Sequence, residues 1–127
     1  MILPILFIAP SADKGRGVFT SEAIDPDTTI ELSPVLVMSN EDRKLLDQTP
    51  LHDYIFEWGQ PATHCCMAMG YVPMYNHSYE SNCDYEMDYA HELIRIRTVR
   101  SIKKGEELTI NYNGEWNDAT RLWFDAI

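Results

Sequence analysis

This chain predicts a mainly β fold with short helices, and three observations carry that expectation. Cys83, Tyr85, Met87 and Tyr89 alternate with Asp84, Glu86 and Asp88, and Ile94, Ile96 and Thr98 alternate with Arg95 and Arg97. A period of two marks strands with one face exposed. Glycine and proline recur between short apolar runs, at Gly15, Gly17, Pro26, Pro34, Gly59, Pro61, Gly70 and Gly105, where they act as turns and breaks. The clearest helix signal begins at Ser39 and gives only a short helix. At 127 residues the chain is read as one domain, 1–127, large enough to bury about two-thirds of its unfolded surface.

In chain order, the apolar run 1–10 has no basic leader and is too short to cross a bilayer. Residues 2–8 are read as a buried strand. A loop follows over 11–17, where Gly15 and Gly17 permit positive φ and close backbone approach. Residues 18–24 read as a strand, Asp25-Pro26-Asp27 as a turn and 29–38 as a strand interrupted by Pro34, which implies an edge or a bulge there. Ser39 with Asp42 three residues on has the form of a capping box, with Leu45 and Leu46 on the apolar side and an end near Gln48. Residues 51–58 and 65–69 then read as strands, and 70–75 as a connector or single helical turn.

The alternating pair comes next. Across a turn at Ala90-His91-Glu92 the two segments form a hairpin that sets the acids of one strand opposite the arginines of the other, each favourable pair contributing about 0.2–1 kcal/mol. Tyr85 then shares the inner face with Cys83 and Met87. After a turn over 101–105, residues 107–112 make a further strand and Asn113-Gly114 another turn. The tail 113–127 carries Trp116, Leu122, Trp123, Phe124 and Ile127, an apolar area that must dock on something.

Twenty acidic against ten basic side chains give a net charge of −10. That balance argues against direct nucleic-acid binding through neutralised phosphates and favours a basic partner. Cys65, Cys66 and Cys83 are odd in number, and two are adjacent, which suits neither a disulfide framework nor a Cys-x-x-Cys zinc knuckle. A reducing, intracellular compartment is implied, cytoplasmic, or nuclear in a eukaryote. His64-Cys65-Cys66 with Cys83 is a poor metal site, because neighbouring side chains on a strand point to opposite faces. The three cysteines are expected to be buried apolar groups, and no metal is expected.

Three segments carry the chemistry: Lys14-Gly15-Arg16-Gly17-Val18-Phe19, then Tyr75-Asn76-His77-Ser78 with Asn82, then Gly105-Glu106-Glu107-Leu108-Thr109-Ile110-Asn111-Tyr112. Singly each is weak. Asn-His-Ser alone reads as a polar turn, and Gly15 to Gly17 lacks the further glycine and helix of a dinucleotide fingerprint. Together, in this order and spacing, they resemble the SET-domain protein-lysine methyltransferases over residues 11–112, most of the chain.

That resemblance implies a SET-domain fold, small β-sheets around a C-terminal pseudoknot in which the chain near Tyr112 threads beside Asn76-His77-Ser78. It implies S-adenosylmethionine as methyl donor and a basic, histone-like protein segment bearing the target lysine as acceptor. Tyr112 is similar to the family's nearly universal catalytic tyrosine, and Tyr85 to a second found in some members. Cofactor contacts are implied at Lys14, Gly15, Arg16, Gly17, Tyr75, Asn76, His77 and Tyr112. A late aromatic that stacks on adenine falls on Trp123, with Trp116 the other choice. A homodimer is left open, and no membrane partner is expected.

Three departures from the family pattern stand out. Asn111 occupies the place of an Asp whose charge orders the loop, Ser33-Pro34 fall where several members carry a further channel tyrosine, and no cysteine cluster follows Tyr112. Two rival functions remain at this point. One is a catalytically weak SET-fold binding module presenting an acidic surface to a cationic partner, although a scaffold has no need of hydroxyls at both Tyr85 and Tyr112. The other is a Cys-His hydrolase built on Cys66 or Cys83 with His77.

Overall fold

The computed structural model describes residues 1–12, 14–59 and 61–112; Trp116, Trp123 and the Asn113-Gly114 turn lie outside the described residues. The strands are β1 (Leu6–Pro10), β2 (Arg16–Thr20), β3 (Thr29–Met38), β4 (Phe56–Trp58), β5 (His64–Ala68), β6 (Asn76–His77), β7 (Cys83–Asp88), β8 (Leu93–Thr98) and β9 (Glu107–Ile110), with helix α1 (Asn40–Leu46) between β3 and β4. One sheet has the order β1-β2-β9-β6 and the other β4-β5-β3-β8-β7. The β6–β9 pair is parallel, Asn76 opposite Thr109 and His77 opposite Ile110. One apolar cluster joins the sheets, with Val18, Leu108 and Ile110 from the first and Ile30, Cys66, Cys83, Ile94 and Ile96 from the second.

The hairpin has the expected register: Asp84 lies opposite Arg97 and Glu86 opposite Arg95. Both pairs are ion pairs, at 3.4 Å and 3.8 Å. Partly exposed as they are, they select register more than they add stability. Glu92 turns the chain with φ 50, and the Asp88 carboxylate accepts from the His91 N–H at 3.0 Å. The two outer strands of the larger sheet approach each other through ring contacts, Phe56 on Tyr85 at 5.5 Å and Trp58 on Tyr89 at 4.8 Å. That sheet therefore curls almost closed, with Tyr85 on the inside of the seam.

The capping box at α1 is complete, Asp42 N–H donating to Ser39 Oγ at 3.1 Å and Ser39 N–H to Asp42 Oδ2 at 3.3 Å. Its apolar side does not pack as expected: α1 buries no residue and Leu45 stays 67% exposed. Three strand expectations also change. Pro4 ends the first apolar run early, so β1 begins at Leu6, while Ile2 bridges to Glu31 and Leu3 N–H donates to Ile30 O at 3.0 Å. The run 51–58 opens as a 3-10 turn, Pro50–Tyr54, because Thr49 Oγ1 accepts the Leu51 N–H and Pro50 sits at the first position.

Pro34 lies neither on an edge strand nor at a bulge. It marks a change of partner: residues 29–34 of β3 pair with β8, and residues 35–38 pair with β5 on the other side. The bulge is earlier, between Thr29 and Glu31. It breaks the alternation so that Ile30 and Glu31, consecutive in sequence, are both 0% exposed.

Candidate active site

Strand β9 runs between β2 and β6, and one carboxylate on it ties three segments together. Glu107 Oε1 accepts from Ser11 Oγ at 2.8 Å, and Oε2 accepts from Asn76 Nδ2 at 2.7 Å. Asn76 Nδ2 also donates to Arg16 O at 3.1 Å, and the Lys14 ammonium donates to His77 O. Gly17 is what lets these groups meet. A Cβ there would stand 2.3 Å from Glu107 Oε2 and 2.8 Å from Asn76 Nδ2, so any side chain would occupy the space of the carboxylate. Gly15 has φ +71, which favours glycine for conformational reasons.

Asn82, Asn111 and His77 brace β9 and the two residues after it. Asn82, 2% exposed, donates to Glu107 O at 2.8 Å and to Glu106 Oε2 at 3.0 Å, and its Oδ1 accepts from Thr109 N–H at 2.8 Å. Its amide thus pairs with β9 as a neighbouring peptide group would. His77 Nδ1 accepts from Tyr112 N–H at 3.0 Å, which assigns that nitrogen as the unprotonated one. The His77 ring lies edge-on to Tyr79 at 4.4 Å and tilted on Tyr112 at 5.1 Å. Asn111 Nδ2 donates to Tyr79 O at 3.3 Å. An aspartate cannot make that bond, so here the amide orders the loop where the family pattern uses a charge.

Tyr112 is held at both ends, by His77 at its N–H and by its hydroxyl, which donates to Tyr75 O at 2.7 Å. Tyr85 stands beside it, the hydroxyl making a long contact of 3.4 Å with Tyr112 O. Burial pushes both phenols up to about 12, although Tyr112 keeps 38% of its surface exposed. Near neutral pH both are therefore un-ionised hydroxyls. The Tyr75 side chain is turned into the core, 1% exposed, with its hydroxyl donating to Glu31 Oε1 at 2.9 Å. Burial, then the Glu31 charge, hold that phenol well above its ordinary range. Ser33 supplies no channel wall: it is 3% exposed and donates to Glu31 Oε2 at 2.7 Å.

Beside Tyr112 lies a cleft of about 660 Å³, lined by Lys14, Gly15, Arg16, Asn76 and Tyr112 together with Arg43, His52, Asp53, Tyr54, Ile55, Pro73 and Met74. The structure thus brings the first and last motif segments to one wall. Gly17 and the Tyr75, His77 and Tyr85 side chains support that wall without lining it. Sequence reading missed Arg43, the stretch His52 to Ile55, and Pro73 and Met74. Arg43 comes from α1 and the others from connecting segments, and the patterns there specify local structure only. The cleft suits S-adenosylmethionine on two counts. Asn76 spends its NH₂ on protein acceptors, which leaves Oδ1 as the acceptor for an ammonium, and Lys14, Arg16 and Arg43 offer cations to a carboxylate.

The cysteines carry no nucleophile. All three are free and buried; burial pushes the Cys66 thiol up to about 12 and Cys83 higher still, which removes the basis of a Cys-His hydrolase. Among the described residues no group of His, Cys, Asp or Glu is placed to hold a metal ion, and no helix is long and apolar enough to cross a membrane.

Comparison with known proteins agrees with this geometry. The family model described as the SET domain matches residues 15–113. The chain is 36% identical over 121 residues to the histone-lysine N-methyltransferase, H3 lysine-37 specific, of Schizosaccharomyces pombe, covering 94% of this chain and 77% of that protein. It is 35% identical over 143 residues to histone-lysine N-methyltransferase SETD7 of Halocynthia roretzi, covering 92% of this chain and 34% of that protein. A crystal structure of a candidate histone methyltransferase from Plasmodium falciparum superposes with a TM-score of 0.72 at 27% identity, covering 92% of this chain and all of that one.

Proposed function

The chain belongs to the SET-domain family, and from that premise we propose how its own residues carry out S-adenosylmethionine-dependent methylation of a protein lysine. When bound, the cofactor supplies an electrophilic methyl group on a sulfonium, whose S–C bond breaks as the new N–C bond forms. The protein has to align a neutral amine with that methyl and keep water away. In this reading Lys14, Gly15, Arg16, Asn76 and the His77 backbone hold the methionine and adenosine portions, Gly17 keeps the loop close behind them, and the Tyr75 carbonyl and Tyr112 stand beside the reacting centre. Trp123 is assigned to the adenine by the family resemblance.

The observation that carries the mechanism is the double fixing of Tyr112. Its proton is committed to the Tyr75 carbonyl at 2.7 Å, so its oxygen presents lone pairs to whatever lies opposite. A preorganised acceptor of this kind attracts the partial positive charge on the transferring methyl and needs no reorganisation during reaction. Tyr85 and Phe56, in ring contact at 5.5 Å, wall the lysine's approach, and a desolvated amine loses its proton more readily. That one proton goes to solvent, and the methylated product keeps the other two as a secondary ammonium.

The acceptor is a lysine in a basic, histone-like segment. The relatives' names and the charge of −10 support that choice. The same reading takes residues 1–127 as one catalytic domain, working inside the cell without a metal ion and acting on protein rather than nucleic acid. The test is Tyr112→Phe, assayed with labelled S-adenosylmethionine and a histone panel. Turnover should fall by about ten- to a thousandfold, in the range for one preorganised polar group, while calorimetric cofactor affinity holds. Wild-type turnover in that variant would sink the assignment.

A further inference from the structure

The geometry points to Glu31 and Tyr75 as a positioning pair that sets the Tyr112 hydroxyl, an inference that rests on the role proposed for Tyr112. Glu31 is 0% exposed, and among the described residues no Lys, Arg or His forms an ion pair with it. A buried carboxylate persists without a cation only where hydrogen bonds replace its water. Three donors do so here: Tyr75 Oη at 2.9 Å, Tyr71 N–H at 2.8 Å and Ser33 Oγ at 2.7 Å.

Those donors explain what the carboxylate is for. Tyr71 and Tyr75 flank the 3-10 turn Val72–Met74, so Glu31 grips that turn at both ends. Pro73 and Met74 of the same turn line the cleft. The residue gripped last, Tyr75, offers the carbonyl that receives the Tyr112 proton at 2.7 Å. Ring, peptide and hydroxyl form one mechanical path from a buried charge to the reacting centre. Gly70 is shaped to permit it: φ is +70, and a Cβ there would stand 2.4 Å from Glu31 Oε2 and 2.5 Å from Ser33 Oγ. The bulge in β3 that turns Glu31 inward beside Ile30 is therefore the device that delivers this carboxylate.

The test separates positioning from general support of the fold. Tyr75→Phe keeps the ring and the carbonyl and cuts only the link to Glu31. With the variant folded by circular dichroism, kcat should fall by about tenfold, on the scale expected of a small misplacement at a reacting centre. KM for S-adenosylmethionine should stay within about twofold. In a Tyr112→Phe background, the same change should lower kcat no further, because the effect passes through the hydroxyl already removed. Glu31→Gln should reproduce the kcat loss, and it decides the matter should Tyr75→Phe melt below the assay temperature. Wild-type kcat in Tyr75→Phe beside a disabled Tyr112→Phe overturns this inference alone, as does an equal further loss in the double variant. Wild-type turnover in Tyr112→Phe overturns the role of Tyr112 and this inference with it.

Discussion

Gly17→Ala tests the cleft floor most directly. The new methyl group would lie 2.3 Å from Glu107 Oε2 and 3.0 Å from Glu107 Cδ, well inside contact distance, so the carboxylate has to move. If it swings away, it gives up the bonds to Ser11 at 2.8 Å and Asn76 at 2.7 Å. Hydrogen bonds to a charged group contribute about 1.5–3 kcal/mol each, at the lower end here because both are only part-buried. If it stays, the strand deforms at the cost of overpacking, about 1–3 kcal/mol. The first route costs about 3 kcal/mol and the second about 1–3, so urea unfolding should show a loss of about 1–3 kcal/mol by the cheaper route, accompanied by weaker cofactor binding, because Asn76 loses one of the two bonds that orient its amide. The control is Glu107→Ala, which removes the obstacle; in that background Gly17→Ala should cost under about 1 kcal/mol, as expected of coupled neighbours. A loss below about 0.5 kcal/mol in the wild-type background with unchanged cofactor affinity would refute the reasoning.

Three further outcomes follow from the same structure. Asn111→Asp, though it restores the family's usual residue, should destabilise the protein by about 1–3 kcal/mol, because a carboxylate replaces a donor at 3.3 Å from the Tyr79 carbonyl; equal or higher stability in thermal melts would contradict this. Alkaline pH should weaken the fold. Cys66 and Tyr85 stay protonated to about 12 when folded, against ordinary values of 9.0 and 10.0. Between about pH 9 and 12 the unfolded chain therefore binds fewer protons, and stability that is fully present below that window is lost as pH rises through it. Denaturant midpoints that stay flat from pH 8 to 11 would count against it. Finally, the charge of −10 should steer basic peptides, an effect screened over about 10 Å at 0.1 M salt and about 3 Å at 1 M. kcat/KM for a Lys- and Arg-rich peptide should fall steeply between those conditions while saturated kcat changes little, and equal rates for basic and acidic peptides would remove charge from the account of substrate choice.

What could be read from the sequence was whatever repeats at short range or joins distant motifs by their order. The β7–β8 register was legible because two independent patterns, apolar alternation and opposite charges, select the same alignment. The helix start at Ser39 was legible because both halves of a capping box are local. The motif segments indicated a site, and the structure brings Lys14 to Arg16, Asn76 and Tyr112 to one cleft. Other features were hidden for physical reasons. Residues 51–58 hold apolar groups that suit a strand or a turn equally, and the deciding signal, Thr49 capping ahead of Pro50, was present in the sequence but outweighed by the apolar run. Glu31 lies in a segment read only as a strand interrupted by Pro34, and the bulge at Thr29/Glu31 that buries it beside Ile30 is invisible in composition. Tyr75 adjoined a binding motif, yet its side chain answers to Glu31 in the core.

The knot of bonds around Glu107 has a consequence for how the protein comes into being. Its carboxylate reaches Ser11 across 96 residues and Asn76 across 31, and its carbonyl reaches Asn82 across 25. During synthesis the glycine loop emerges early as the turn of the β1–β2 hairpin, and its bonds to Glu107 have to wait until β9 has cleared the ribosome. Contacts of such long sequence separation close slowly, so the cleft is assembled late, after the β7–β8 hairpin has had time to form on its own. A nascent chain arrested before Glu107 would hold strands but no place for a methyl donor. The protein therefore gains its cleft only with the arrival of β9.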